Sequence, residues 1–384
     1  MPAIFIFLFF AAICRGYDTT AFSNLAYPIE DAPGGQAILK NGSFSKLIVE
    51  GSAARFDAKL LEPVAISSWR GRQVAAVVLY YSSGGSGNFR RLFFLTKDEK
   101  GWSPKAWADL GDRIKVRYLG LERHGEVTVG MITHATGDPR CCPTKKIVRV
   151  YIVKRDKLLP KKTASTEIFP DQVHFAAHIL PEQIKAILIP EHGVSAHGIN
   201  NLPPYPSHVA LLMNGKVAVR IMPVKAYEKM WLKKNDLTIK IAMKRIERII
   251  TGKEKDFSPP LPILPPHSGI NDLAAKQELI KWNSGQGIGF IGRIAKTFSC
   301  VSPDDLCYFF TGISNGNRFL ISLIHNLKIK EAPNSLWSCE STIKGLSKQI
   351  KEVSTAIGGM HDDNFEPSLS AIRRFLSSIS IEED

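Results

Sequence analysis

Between Gln36 and Val153 the chain repeats one pattern: a short apolar or β-branched run, a turn signal, then another run. QAILKNGSF carries an Asn41-Gly42 turn. VAAVVLYY (Val74–Tyr81) is apolar almost throughout, and the Gly/Ser loop SSGGSGNF joins it to RRLFFLT (Arg90–Thr96). RIKVRYLGL, EVTVGMIT and KIVRVYIV then alternate at period two. Such alternation places successive side chains on opposite faces of a sheet, and connections this short join antiparallel neighbours. The spacing predicts about six or seven strands and few helices in a β-rich N-terminal domain, residues 17–159.

KRDKLLPKKTAST (Lys154–Thr166) is charged, contains Pro160 and lacks periodicity, so it reads as the linker between domains. A second domain is expected over residues 160–335. VHFAAHI and HVALLMNGKVAVRIMPV read as strands, the latter turning at Asn214-Gly215. The period then changes in NDLTIKIAMKRIERIITGK. Leu237, Ile241, Ile246, Ile249 and Ile250 predict one apolar helical face, with Asn235 or Asp236 as N-cap and Gly252 as C-cap. SPPLPILPPHSG must cross the domain extended. AAKQELIKW, GIGFIGRIAKTF, CYFFTGIS and RFLISLIHNL give further strands. Residues 336–384 return to helices, with a stripe of Ile343, Leu346, Ile350, Val353 and Ile357, then a last helix opened by Pro367. The fold class is α+β: two mainly antiparallel β-rich domains with a helical C-terminal tail packed on the second.

No internal stretch reaches the roughly 20 apolar residues of a membrane-spanning helix. PAIFIFLFFAAIC at the start is shorter and matches the apolar core of an export signal. Residues 1–16 are therefore expected to be a signal peptide or an N-terminal anchor, cleaved after Gly16, retained, or lipidated at Cys14. Lipidation is the weaker fit because Ile13 is not small. Export makes disulfides possible. Of six cysteines, five follow the signal: Cys141, Cys142, Cys300, Cys307 and Cys339. Cys300 and Cys307 flank the turn-rich Ser302–Asp305, and a hairpin there would set them opposite one another, so they are the favoured pair. Cys339 is the competing partner for either. A bond between adjacent Cys141 and Cys142 is disfavoured because it closes a strained eight-membered ring.

PYPSHVALLMNG with RIMPVKAYEKM, NSGQGIGFIGRIAKTFS, LCYFFTGISNGNRFLISLIHNL and NFEPSLSAIRRFLSSISI resemble a family of uncharacterised bacterial exported proteins and lipoproteins. NLAYPIEDAPGGQAILKNGSF, AAVVLYYSSGGSGNFRRLFFL, LGDRIKV and GDPRCCP resemble a second exported module found in bacterial lipoproteins. The resemblances cover most of the chain after the signal. They imply location and architecture, not a chemistry. Relatives of the second module often carry an acidic DxDGDG-like loop where this chain has SSWRGRQ. Arg70 and Arg72 would repel calcium there, so no calcium is expected.

The chemical motifs are weaker. Gly287-x-Gly289-x-x-Gly292 has the spacing of a dinucleotide loop, but no long amphipathic helix follows, and the stretch reads as sheet. SSGGSGNF lacks the Gly-Lys-Ser/Thr ending of a phosphate loop. His174 and His178 are four apart without the glutamate of a zinc-protease motif. His192, His197 and His208 share a Gly/Pro-rich stretch and are a candidate site. Cys141 and Cys142 lie beside Arg140 and Lys145, which would lower a thiol pKa. No metal or cofactor is expected.

Charge is the most physical clue: 50 Lys and Arg against 36 Asp and Glu leave +14. Lys154, Arg155, Lys157, Lys161 and Lys162 crowd the linker, and Lys240, Lys244, Arg245 and Arg248 share the polar side of a helix. Such patches attract anionic envelope lipids, acidic glycans or the acidic surface of another exported protein. Nucleic acid is not expected, because no aromatic platform or recognition motif is visible. The expected function is an exported, envelope-associated protein that binds rather than catalyses. The alternatives are a hydrolase or thiol-redox protein using the histidine loop or Cys141/Cys142, and a basic binder of membrane surfaces or acidic polymers.

Overall fold

The computed structural model describes residues 20–51, 53–122, 125–191, 205–232, 237–254, 260–264, 271–295, 299–340 and 342–382. The expected signal, residues 1–16, lies outside them. The chain divides into two units, Met1–Thr163 and Ala164–Asp384.

The first unit is a nine-stranded sheet: Ser43–Leu47 (β1), Arg55–Trp69 (β2), Arg72–Ser83 (β3), Phe89–Asp98 (β4), Gly101–Asp112 (β5), Lys115–Leu121 (β6), Val127–Thr133 (β7), Lys145–Lys154 (β8) and Lys157–Ser165 (β9). Its spatial order is β1-β2-β3-β4-β5-β9-β8-β7-β6. Strands β1 to β5 pair antiparallel, as do β6 to β8, and β9 meets β5 in parallel at Lys157 and Trp107. The segment expected as a linker is thus strand β9. Among its described side chains only Leu158 is buried while Leu159 to Thr163 face solvent, so the sequence carries no alternation there.

The sheet rolls until β6 comes back against β2 and β3. Val74, Ala76, Val78, Leu92, Phe94, Val129, Met131, Ile147 and Tyr151 fill the inside. The N-terminal segment covers the outside, with Phe22, Tyr27, Ile29 and Leu39 on Val77, Leu79, Phe93 and Leu95. Val74 to Leu79 are therefore buried on both faces, which is why VAAVVL shows no polar alternation. Arg91 ties the cover to the sheet through Glu30 (2.6 Å) and Asp109 (2.7 Å).

The second unit holds a seven-stranded sheet: Ile184–Ile189 (β10), His208–Met213 (β11), Lys216–Pro223 (β12), Ala275–Trp282 (β13), Gly285–Arg293 (β14), Leu306–Ser314 (β15) and Phe319–Asn326 (β16). The order is β10-β11-β12-β16-β15-β14-β13, antiparallel throughout. Asn214 and Gly215, with φ of 49° and 79°, make the expected β11–β12 turn. Helices Ile343–Gly359 (α3) and Leu369–Ser378 (α4) pack Val353, Ile357, Ile372 and Phe375 on one face of the sheet. Helices Val224–Leu232 (α1) and Thr238–Ile250 (α2) pack on the other, with Tyr227, Ile239, Met243 and Ile246 on Met222, Ile313 and Leu320. The Ser368 hydroxyl caps α4 on the Ala371 amide (3.3 Å). No helix among the described residues is long and apolar enough to cross a membrane.

Three expectations fail here. VHFAAHI is not one strand: only Val173–His174 is extended, and a 3-10 turn follows at Ala177–Ile179. The buried face of α2 is Ile239, Met243, Ile246 and Ile249, leaving Leu237 and Ile241 exposed at 52% and 64%. The candidate caps Asn235 and Asp236 lie outside the described residues. Finally, Cys300 bonds to Cys339 across 5.9 Å between Cα atoms, and Cys307 is a buried free thiol. The turn at Pro303–Asp305 forms, but it does not close a hairpin between the two cysteines. Cys307 sits in β15 opposite Gly292 and Asn326, with its flanks occupied. Gln349 of α3 instead holds the Val301 backbone (2.8 and 3.4 Å), which brings the segment before α3 to Cys300.

Candidate functional site

The connections after β3, β5 and β7 gather at one end of the first unit's sheet. Strands β3 and β5 run the same way because each pairs antiparallel with β4. At that end the connections line an open cleft of about 400 Å³ formed by Ser86, Gly87, Asp112, Arg113, His134, Asp138 and Arg140. These residues come from SSGGSGNF, LGDR and HATGDPRCC.

Asp112 and Arg113 brace the floor. The Asn88 amide donates to Asp112 (2.7 Å), and the Arg113 amide donates to the Asn88 carbonyl (2.7 Å). The Arg113 guanidinium reaches both the Asp112 carboxylate and the Ser86 carbonyl. These contacts hold Arg113 at a φ of 51°, a left-handed conformation that costs a non-glycine residue roughly 1–2 kcal/mol. Gly87 leaves no room for a Cβ, which would stand 2.5 Å from the Phe89 ring.

Asp138 braces the wall. It accepts from the Ala135 amide (2.7 Å), the Thr144 amide (2.8 Å) and the Thr144 hydroxyl (2.9 Å). The Ala135 amide foremost, with Thr144 and the field of His134, holds its carboxyl below the usual range. Both acids are thus spent on the loops themselves. His134 is half-buried and Arg140 exposed, and neither side chain makes a hydrogen bond or ion pair among the described residues. The cleft therefore offers a cationic guanidinium and an imidazole to an incoming group.

Cys141 and Cys142 follow Arg140 on an exposed turn closed by the Cys142 amide on the Pro139 carbonyl (3.0 Å). They are bonded to each other, contrary to the expectation from ring strain.

The other candidates scatter. His192 and His197 lie outside the described residues. His208 is fully buried, with Nδ1 on the Pro206 carbonyl (2.8 Å) and its ring edge-on to Tyr205. Burial first, then Arg220, lowers its pKa to about 4, so it is neutral and enclosed rather than a reachable base. Lys240 and Lys244 are exposed, whereas Arg245 is engaged by Glu254 (2.8 Å) and the Pro260 carbonyl. Arg248 lies 3.7 Å from Glu254. His174 pairs with Glu382 (3.0 Å) and His178 is exposed, so they hold nothing in common. In the linker group, Arg155 makes a turn at a φ of 58° and Lys161 pairs with Glu126.

Gly287, Gly289 and Gly292 lie in β14, as the sheet reading expects. A Cβ at Gly287 would stand 2.5 Å from the Gly312 Cα, and one at Gly289 would run into the Tyr308 hydroxyl. Close passage under neighbouring strands accounts for these glycines. SSWRGRQ makes the β2–β3 turn, with φ of 51° at Arg70 and 75° at Gly71, and the Arg70 guanidinium stacks 4.6 Å from the Trp69 ring centroid. Comparison with protein-family models, with curated proteins and with solved structures gives no match.

Proposed function

We propose that this chain is an exported protein of the cell envelope that acts by binding, and that its ligand presents an anionic group, a carboxylate or phosphate, to the cleft of the first unit. The observation that carries this reading is the asymmetry of the cleft. Asp112 and Asp138 are consumed by Arg113, backbone amides and Thr144, with His134 facing Asp138, while the Arg140 guanidinium makes no hydrogen bond or ion pair among the described residues. Charge-assisted hydrogen bonds to such groups are the strong ones. Catalysis is disfavoured because a nucleophile needs a base within hydrogen-bond reach, and no hydrogen bond joins Ser86 to His134 among the described residues. Export rests on the apolar run before Cys14, and bonded cysteines suit an oxidising compartment.

Titration with inorganic phosphate and with succinate, followed through backbone amide shifts, tests the cleft. Shifts concentrated at Gly87, Arg113 and His134 support it; shifts spread over surface lysines refute it. N-terminal sequencing of protein from the envelope fraction tests export, since an intact Met1 in the cytosol contradicts it. A second, thiol-redox reading draws on the exposed Cys141–Cys142 bond beside Arg140. Reductive turnover of a disulfide substrate, abolished by Cys141→Ser, would select it.

A further inference from the structure

Helix α2 spends one face on the sheet through Ile239, Met243, Ile246 and Ile249. Its opposite face follows the spacing 237, 241, 244, 248, one stripe at 3.6 residues per turn. Leu237 and Ile241 occupy the start of that stripe, and Lys244 and Arg248 its end, with Lys240 beside them. Lys244 and Lys240 are exposed and make no ion pair among the described residues. Helix α1 packs against α2 and shows the same mixture. Its Lys225, Lys229 and Leu232 are exposed and, with Glu228, line an open groove of about 440 Å³.

We infer that this exposed face of α1 and α2 docks the second unit on an anionic lipid surface, the leucine and isoleucine entering the headgroup boundary and the lysines meeting lipid phosphates. The argument is one of complementarity. Leu237 and Ile241, more than half exposed, cost free energy in water and gain nothing from a hydrated acidic polymer. A bilayer interface is the partner that satisfies both halves of the pattern, apolar side chains below and cations at headgroup level. Carboxylates on this side are fewer than the cations: Glu228 lies at the groove and exposed Glu247 stands one turn beyond Lys244, against Lys225, Lys229, Lys240 and Lys244, while Glu254 is held by Arg245.

The test is co-sedimentation of the full chain with vesicles of phosphatidylcholine alone and of phosphatidylcholine containing phosphatidylglycerol. The ratio of the two affinities is the readout, because any contribution of the apolar N-terminal run adds to both. Anionic vesicles are expected to bind roughly a hundredfold more tightly, and Lys240→Gln and Lys244→Gln each to lower that preference about fivefold. Leu237→Ser with Ile241→Ser is expected to weaken binding to anionic vesicles about tenfold at unchanged charge. All four positions are exposed, and an unchanged thermal midpoint verifies folding of each variant. Equal binding to both vesicle types overturns the inference, as does no binding to either. So does full binding by the serine variant, which would mark the face as a purely coulombic surface for an acidic polymer.

Discussion

Arg293 of the second unit and Arg140 of the first stand in opposite surroundings. In the second, Arg293 is enclosed, held by both oxygens of Asp272 at 2.7 Å and by the Ser299 carbonyl at 2.9 Å. In the first, Arg140 stands at the rim of an open cleft with its loop's carboxylate already committed elsewhere. A fully paired buried charge is part of the frame, and removing its partner leaves a charge that water cannot reach. An exposed charge without a partner contributes little to folding and keeps its hydrogen-bonding capacity for another molecule. Within the first unit Arg91 belongs with Arg293: it is buried between Glu30 and Asp109 and fastens the N-terminal cover.

Breaking the enclosed side of this comparison should have the largest effect. Asp272→Ala is expected to lower unfolding free energy by about 3–5 kcal/mol in urea titration, because Arg293 stays buried and unpaired. A loss near zero would place Arg293 with the exposed arginines. Next come the disulfides. Cys300–Cys339 closes 39 residues, so Cys339→Ser should cost about 4 kcal/mol in the chain-entropy model. Cys142→Ser opens a ring between neighbours and should cost about 1 kcal/mol. Equal costs would erase the distinction between a structural bond and a local one.

A third test uses pH. Burial lowers His208 to about 4 from its ordinary 6.5. Between those values the unfolded chain takes up a proton that the folded chain refuses. The contribution is therefore fully present above pH 6.5 and is lost as pH falls toward 4, about 3 kcal/mol across the window. His208→Gln should flatten the slope of stability against pH there. An unchanged slope would mean that His208 is not enclosed. The smallest effect should be Arg140→Ala, within about 0.5 kcal/mol of wild type in the same urea titration.

The strands were legible because their alternation and their Asn-Gly and Gly/Ser turns are local signals; Asn41-Gly42 and Asn214-Gly215 both turn as read. Strand β9 was not, because Pro160, Lys161 and Lys162 surround Leu158, the one buried side chain among its described residues. The phase of α2 was misread for a related reason. Leu237 and Ile241 are as apolar as Ile239 and Met243, and only the sheet decides which pair is covered. The cysteine pairing depended on Gln349 reaching Val301 over 48 residues of sequence, a contact with no local mark. The cleft left one trace: the Gly-rich connections after β3 and β7, and the turn that follows Gly111 at the end of β5. What the sequence could not indicate is that Asp112 and Asp138 are spent internally, since Asn88, Ala135 and Thr144 supply that through backbone groups and a hydroxyl.

Calorimetric titration of the full chain with inorganic phosphate tests most directly whether the open end of the first unit is where this protein binds. Wild type is compared with Arg140→Ala combined with His134→Ala, and with Arg245→Ala in the second unit. The double variant should lose about tenfold or more in affinity, the worth of one or two charge-assisted hydrogen bonds, while Arg245→Ala binds as wild type does. Unchanged affinity in the double variant, or an equal loss in Arg245→Ala, would contradict the assignment.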